Sequence, residues 1–197
     1  MRKQTRGAVP GFLSSKWEQW GLEWAENLQK EKPAAWNWRQ VDNQKVNHKL
    51  LPSLKMQAGD HCSFCDAYPV SPPSNETIEH FRPKSKFPQL AWQWENLYFC
   101  CDFCQGRKAE QYEEGLLSPD EAGYLFTEYF YQDFTTGRIE IRPDISEDFQ
   151  SRAKCTLRLY GLNHPGHLPR RLEAQEKRSA LPEWDIDRFA YRDFLDG

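Results

Sequence analysis

The chain of 197 residues lacks an apolar run of the length found in secretion signals. Nor does it contain the run of about 20 apolar residues that a membrane-spanning helix requires. It also lacks internal repeats and low-complexity tracts. Its net charge of −3 excludes a protein that coats nucleic acid by bulk attraction. These absences predict a cytoplasmic protein with one compact core and extensions from it.

Positive charge is concentrated in two segments, although the chain as a whole is slightly acidic. Residues 80–108 carry five Lys or Arg against two acids, and residues 152–192 carry nine against five. Residues 110–150 between them carry eleven acids against two Arg. A polyanion would therefore be received locally, at the first and third of these segments.

Aromatic residues are abundant, with 12 Phe and 8 Trp, and they predict a core built largely on rings. Ser15 to Glu18 has the pattern of a capping box, so a helix should begin there and end before Pro33. The apolar stripe of this helix either packs on the core or docks another chain. Its members recur every three or four residues: Leu13, Trp17, Trp20, Trp24 and Leu28.

The remaining pattern predicts short elements in a mixed order. A less regular helix is expected around 46–54, interrupted by Pro52, and another from Cys101 to a stop at Gly115. A β-hairpin should turn at Thr136 and Gly137. The segments expected after it are a helix over 146–160 that stops at Gly161, a loop over 164–171, a helix from about 169 to 180, and a tail over 182–197 that docks on the domain or binds a partner.

Four of the six cysteines form two pairs, Cys62 with Cys65 and Cys101 with Cys104. Two C-x-x-C pairs bring four thiolates to the corners of a tetrahedron, the geometry that structural Zn²⁺ takes. A redox C-x-x-C is the competing interpretation, but neither pair lies in a βαβ pattern. Cys100 and Cys155 are interpreted as small buried thiols, and His61 is left out of the ligand set.

Between the two pairs lies TIEHFRPKSK, which places Glu79 beside His80. A histidine can take a proton from water, a neighbouring carboxylate can hold a divalent metal, and nearby cations can bind phosphate. The candidate phosphate-binding cations are Arg82, Lys84, Lys86, Arg107 and Lys108. Each of them is equally well explained as a solvated surface charge.

Glu79-His80, Asn96-Leu97 and Gln105-x-x-Lys108, enclosed by the cysteine pairs, resemble the HNH endonuclease pattern. Over residues 50–180 the chain is similar to the PtuB family, the HNH effectors of Septu-type and retron-linked bacterial anti-phage systems. The segments that carry this similarity are TIEHFRPKSKFPQLAWQWENLYFCCDFCQGRK, LLSPD and GLNHPGHLPRR.

The resemblance implies an α+β fold: a zinc-bound ββα-metal core with helical extensions at both ends and an additional β-hairpin. The three segments would be 1–57 (N-terminal helical extension), 58–115 (HNH core) and 116–197 (hairpin and C-terminal helices). His80 would be the general base, and Asn96 would hold the turn and orient it. Glu79 and Gln105 would hold a catalytic Mg²⁺ or Mn²⁺, with Gln105 standing where the family has His or Asn. Glu79 and His80 can serve one site only if the strand ends or bulges there, because neighbours on a regular strand face opposite ways.

The resemblance also implies an endonuclease that cuts DNA or RNA, for example a tRNA. Its implied partners are a PtuA-like ABC/SMC-type ATPase and, in retron systems, a reverse transcriptase with its multicopy DNA. Activity of the isolated chain is expected to be low. The alternative is a zinc-organised adaptor without chemistry that binds nucleic acid or protein; a thiol redox protein is a third possibility.

Two further groups of residues each have two possible interpretations. Trp92 and Trp94, with their apolar neighbours, are expected in the core rather than as a stacking platform for bases. His164 and His167 either contact nucleic acid or a partner, or cap the helix that follows.

Overall fold

The computed structural model describes residues 1–70 and 75–195, which form an α+β fold with three two-stranded antiparallel sheets. The helices are α1 (Gly11–Ser14), α2 (Trp17–Leu28), α3 (Val46–Ala58), α4 (Asp102–Lys108), α5 (Phe126–Tyr129), α6 (Glu147–Tyr160) and α7 (Leu168–Ala180). The strands pair as β1 (Gln40–Val41) with β2 (Gln44–Lys45), β3 (Glu76–His80) with β4 (Leu97–Cys101), and β5 (Phe130–Asp133) with β6 (Arg138–Ile141).

The predicted N-terminal helix is present as α2, but its predicted capping box is wrong. Lys16 is the N-cap residue and no side chain caps the helix. Ser15 instead ends α1 with a helical backbone, φ −92° and ψ 0°, and its side chain does not cap α2. The stripe packs on the protein's own core, since Leu13 and Trp20 are buried and Trp17 and Trp24 pack against the same cluster.

Helix α3 runs through Pro52 without a break and ends at Gly59, which has a left-handed backbone with φ 61°. Its buried residues recur every four positions on one face: Val46, Leu50, Leu54 and Ala58. The predicted interruption is wrong because burial of this face outweighs the one hydrogen bond that proline cannot donate.

The central unit is the β3–β4 hairpin followed directly by α4. Its register is regular from Glu76 opposite Cys101 to His80 opposite Leu97. Helix α4 ends at Ala109, which has φ 47°, and not at the predicted Gly115. Gly115 instead lies against the side chain of Arg152 on α6.

The C-terminal part follows the sequence pattern closely. The β5–β6 hairpin turns at Gly137, which has φ 74°. Ser146 caps α6 by accepting from the backbone N–H of Phe149, and Gly161 ends the helix in the left-handed conformation. Helix α7 already starts at Leu168, so the second half of the predicted 164–171 loop is helical.

The tail after α7 docks on the domain. Phe189, Tyr191 and Phe194 are buried. The Arg192 guanidinium pairs with the Asp66 carboxylate, with Nη2 2.6 Å from Oδ1, and both side chains are buried. A broken buried pair leaves an uncompensated charge, so this contact ties the tail to the turn that holds the first cysteine pair. Residues 196–197 of the predicted tail lie outside the described residues.

One main apolar cluster draws on all three predicted segments, with Leu50, Trp92 and Leu159 among its members. The ring of Phe64 stacks on that of Tyr160 with a centroid distance of 3.9 Å, which joins the first cysteine turn to α6. Trp92 and Trp94 are buried, which confirms the core interpretation. Among the helices of the described ranges, none has the length and apolar character needed to cross a membrane.

Candidate functional site

The four paired cysteines meet in one buried cluster, Cys62, Cys65, Cys101 and Cys104, whose Sγ atoms all lie within 4.8 Å of one another. The first pair lies in the turn after α3, Cys101 ends β4, and Cys104 lies in the first turn of α4. Four sulfurs about 2.3 Å from Zn²⁺ would be about 3.8 Å apart. The Sγ atoms of Cys65 and Cys101 are 3.7 Å apart, so the cluster fits a structural zinc ion.

The backbone also supports thiolates in this cluster. The N–H of Cys101 donates to Cys62 Sγ over 3.4 Å, and the N–H of Cys104 donates to Cys101 Sγ over 3.5 Å. Hydrogen bonds from the Cys100 and Cys104 thiols lower the pKa of Cys101 to about 5. Hydrogen bonds among neighbouring thiols raise the pKa of Cys65 and Cys104, and a bound metal would displace those protons because it needs thiolate ligands.

The cysteines and the histidine that were left out of the ligand set have other environments. Burial raises the pKa of Cys100 well above its usual value and that of Cys155 to about 11, so both are neutral thiols. The ring of His61 contacts the carbonyl oxygens of Gly59 and Phe189. It joins the cysteine turn to the tail and does not face the cluster.

His80 is the last residue of β3 and is only 7% exposed. Its Nε2 lies 3.0 Å from the carbonyl oxygen of Ala91. Because a carbonyl only accepts, Nε2 carries the hydrogen and the lone pair is on Nδ1. Two indole rings cover the imidazole: Trp38 stacks on it at 5.6 Å between centroids, and Trp36 contacts it edge-on at 5.4 Å.

The cover also determines the charge of His80. Burial, with a smaller effect of the nearby Lys84 ammonium, lowers the pKa of His80 to about 3. The ring is therefore neutral throughout the physiological range. Covered in this way it is a weak base, because a low pKa means a small driving force for taking a proton.

Asn96 holds the long loop between β3 and β4. Its Oδ1 accepts from the backbone N–H of Arg82 at 2.7 Å, and its Nδ2 donates to the carbonyls of Arg82 and Leu90 at 2.9 and 3.0 Å. The predicted direct hydrogen bond to His80 is not formed. Asn96 instead holds the carbonyl of Leu90, and the carbonyl that accepts the hydrogen bond from His80 belongs to the next residue, Ala91.

Glu79 points away from His80, because the β3–β4 ladder is regular at both residues. Its Oε1 lies 2.6 Å from Nζ of Lys108, which also donates to the carbonyl of His80 at 2.9 Å. Burial raises the pKa of Glu79 to about 7 against the opposing effect of the Lys108 charge. The predicted convergence of Glu79 and His80 on one site is therefore wrong for this conformation.

Gln105 is also engaged within the chain, since its Nε2 donates to the carbonyl of Ile78 over 2.9 Å. An ammonium already neutralises Glu79 at the position where the divalent ion was expected. The pair Glu79 and Gln105 therefore does not fit Mg²⁺ or Mn²⁺ in this conformation, because such an ion needs several free oxygen ligands.

The predicted phosphate-binding cations separate into three groups. Arg82, Lys86 and Arg107 are exposed. Lys84 is half-buried, 3.3 Å from the Glu110 carboxylate and 5.5 Å from the Trp36 ring. Lys108 has no exposed surface, so its prediction as a nucleic-acid contact is wrong: its charge is used inside the fold.

Sequence reasoning missed the residues that cover His80. Trp36 and Trp38 lie in an irregular stretch before β1, where no helical or strand period marks them. Two tryptophans on either side of one asparagine, shortly after Pro33, were the available signal. No protein-family model matches the chain, and no curated protein is significantly similar to it.

Proposed function

We propose that this protein is an HNH-type endonuclease held together by zinc, with His80 as its general base. One observation carries the proposal: a hairpin whose first strand ends at His80, whose loop is closed by Asn96, and whose second strand runs straight into α4 at the four-cysteine cluster. This order of strand, strand and helix is the one the HNH resemblance implies. The zinc ion would join the hairpin to the helix and take no part in the reaction.

The reaction proposed is hydrolysis of a phosphodiester bond. Nδ1 of His80 would take a proton from a water molecule, whose oxygen attacks phosphorus while the bond to the 3′ oxygen breaks, and the departing 3′ oxygen would take a proton from solvent. The hydrogen bond from Nε2 to Ala91 keeps the lone pair on Nδ1 and fixes the plane of the ring. Arg82 and Lys86 are exposed on the loop after His80 and can hold the flanking phosphates.

The conformation described here is the resting one under this proposal. Trp36 and Trp38 close off His80 and lower its basicity. A phosphate reaches the imidazole only when the irregular segment 33–39 moves. The isolated chain should therefore cut slowly, as expected for a nuclease that must be restrained.

The proposed reaction has no step that uses a divalent ion, because Glu79 and Gln105 have other partners. Its dependence on Mg²⁺ or Mn²⁺ is left to experiment. The partners implied by the resemblance also remain predictions: a PtuA-like ABC/SMC-type ATPase and a retron reverse transcriptase with its multicopy DNA. Under this proposal the ATPase would release His80 by displacing the two tryptophans.

The zinc-organised adaptor remains the second candidate, and one observation favours it. The Glu79–Lys108 pair fills the position of the catalytic cation with a buried ammonium, as expected of a site that no longer holds a metal. An adaptor would keep its binding after substitution of His80, whereas a nuclease would lose cleavage.

The deciding experiment compares four proteins: wild type, Trp36→Ala with Trp38→Ala, and each of these with His80→Ala. Each is incubated with duplex DNA and with total RNA, with and without Mg²⁺ or Mn²⁺, and with and without the ATPase. Cleavage that rises when the tryptophans are removed and disappears with His80→Ala supports the nuclease. Equal behaviour of all four proteins under every condition leaves the adaptor.

A further inference from the structure

A cavity of about 750 Å³ lies at the end of the central hairpin opposite to His80. Its walls come from residues 67–70, the start of α4, the inner face of α7 and the tail at 188–191. Cys101, which contributes to its lining, is four residues along β4 from Leu97, the partner of His80. At about 3.3 Å per residue the cavity lies roughly 13 Å from the proposed base.

The floor of the cavity is aromatic and apolar. Four rings line it: Tyr68, Phe103, Phe189 and Tyr191. Tyr68 and Phe103 are half-buried, and the Phe103 ring lies 4.9 Å from that of His164 and 4.8 Å from that of His167. Ring faces of this kind bind planar groups by stacking.

The rim of the cavity is cationic. Arg170 and Lys177 lie seven residues apart on one face of α7, and Arg188 faces them from the tail. All three are exposed; Lys177 also lies 5.7 Å from the Trp184 ring centroid, Arg188 4.5 Å from the same ring, and Arg170 has a hydrogen bond to Tyr191. The lining acids are Glu173 and Asp102, and Asp102 accepts a hydrogen bond from Asn75.

We propose that this cavity binds one nucleotide unit, with the base against the rings of Phe103 and Tyr68 and the phosphate on Arg170 and Lys177. The cavity combines a ring surface for stacking with positive charge for a phosphate, and a nucleotide has both a planar base and a phosphate. An acidic peptide would satisfy the charges but leave the rings without a partner. The volume lies within the range of small-molecule sites.

The nucleotide unit has two sources, a free nucleotide or one residue of a single-stranded nucleic acid. The inference goes beyond the proposed nuclease, because binding in this cavity needs neither His80 nor cleavage. The adaptor candidate would use the same cavity.

Isothermal titration calorimetry tests the proposal on the zinc-loaded full chain without added Mg²⁺ or Mn²⁺. The probes are AMP, 5′-phosphorylated single-stranded DNA and RNA 12-mers, and a glutamate-rich 12-residue peptide. Arg170→Glu with Lys177→Glu should weaken nucleotide binding at least tenfold. It should also reduce the slope of log affinity against log salt for the DNA 12-mer by about 0.7, the value for one lost phosphate contact on a single strand.

Two further variants separate the site from general charge and from folding. Lys45→Glu with Lys154→Glu changes the net charge equally at exposed positions outside the cavity and should leave affinity within about twofold. Phe103→Leu keeps an apolar side chain and should weaken binding about tenfold with no change in salt slope, because it removes stacking alone. Zinc content and circular dichroism confirm that each variant is folded.

Binding of AMP as tightly as the 12-mers would assign a free nucleotide as the ligand, and tighter binding of a 12-mer would assign single-stranded nucleic acid. The proposal is overturned if no nucleotide probe binds at millimolar concentration, or if the peptide binds as tightly as the nucleotides. It is also overturned if the rim variant and the charge control lose affinity equally.

Discussion

The indole of Trp38 lies nearly parallel to the imidazole of His80, with 22° between the ring planes and 5.6 Å between their centroids. Trp36 closes the edge of the same imidazole and also contacts Trp92 at 4.8 Å, which anchors the cover to the core. The residue proposed to act on water is thus shielded from it. Uncovering would make His80 accessible and restore its basicity together.

Removal of the cover should therefore activate His80. Trp38 contacts the rings of both His80 and Trp92, and each contact is worth about 1 kcal/mol, so Trp38→Ala should raise the population of the open state, and under the proposed function the rate of cleavage, about thirtyfold. Modification by diethyl pyrocarbonate provides a readout that does not depend on activity, since an uncovered imidazole reacts faster. Trp17→Ala, which removes a half-buried indole that packs elsewhere on the core, is the matched control. Equal reactivity of His80 in the two variants would refute the cover.

The depressed pKa of His80 predicts a pH-dependent stability. The unfolded chain binds a proton at His80 below its usual pKa of about 6.5, and the folded chain does not do so until about 3. Stability from this residue is therefore present above pH 6.5 and is lost as the pH falls. Relative to His80→Gln, the wild-type free energy of unfolding should decrease by about 2 kcal/mol between pH 7 and pH 5.

Urea unfolding of the zinc-loaded proteins at the two pH values measures this difference. Effects of acid on the zinc cluster and on Glu79 are present in both proteins and cancel. His48→Gln, at an exposed histidine, is the matched control for loss of an imidazole. A pH-independent difference for His80→Gln would mean that His80 titrates freely and is not buried.

The features that sequence reasoning predicted correctly are those encoded by close neighbours. The Cys62/Cys65 and Cys101/Cys104 pairs each place two thiols within three positions, and Ser146 and Gly161 mark the ends of α6 with their own backbone and side-chain chemistry. The β5–β6 hairpin was predicted by alternation around Gly137. In each case the interacting groups are adjacent along the chain, or repeat with a period.

The features that were missed are contacts between distant residues with no period to mark them. Trp38 reaches His80 from an irregular segment 42 positions away. Lys108 and Glu79 were both predicted to be functional residues. The motif assigns a role to each of them separately and does not predict that they form an ion pair. A local pattern also fails where a neighbouring element uses the same residue. Ser15 ends α1 and therefore does not cap α2.

Zinc removal should unfold the central unit. We expect one zinc ion per chain, because the four Sγ atoms form one cluster. Structural zinc contributes on the order of 10 kcal/mol in small domains, so Cys65→Ser or treatment with a strong chelator should abolish cooperative unfolding of the hairpin and α4. Cys155→Ser, at a buried thiol outside the cluster, should retain one zinc. Metal analysis with thermal unfolding checks both, and full zinc content in Cys65→Ser would contradict the ligand assignment.

The buried pair of Glu79 and Lys108 should show strong energetic coupling. Lys108→Met leaves the Glu79 carboxylate buried without its cation and should destabilise the fold by about 3–5 kcal/mol, whereas adding Glu79→Gln to it should recover much of that loss. The exposed pair of Arg158 and Glu113 is the control, where Arg158→Met should cost less than about 1 kcal/mol.

The same cycle tests how Lys108 relates to a divalent ion. If Lys108 has replaced the metal, Mn²⁺ should not stabilise the wild-type protein, and it should stabilise Lys108→Met only while Glu79 is present. Urea unfolding of the single and double variants, with and without Mn²⁺, gives both the coupling energy and the effect of the metal. Stabilisation of the wild type by Mn²⁺ that Glu79→Gln removes would instead show that the ion displaces Lys108, which would return Glu79 to the role of metal ligand.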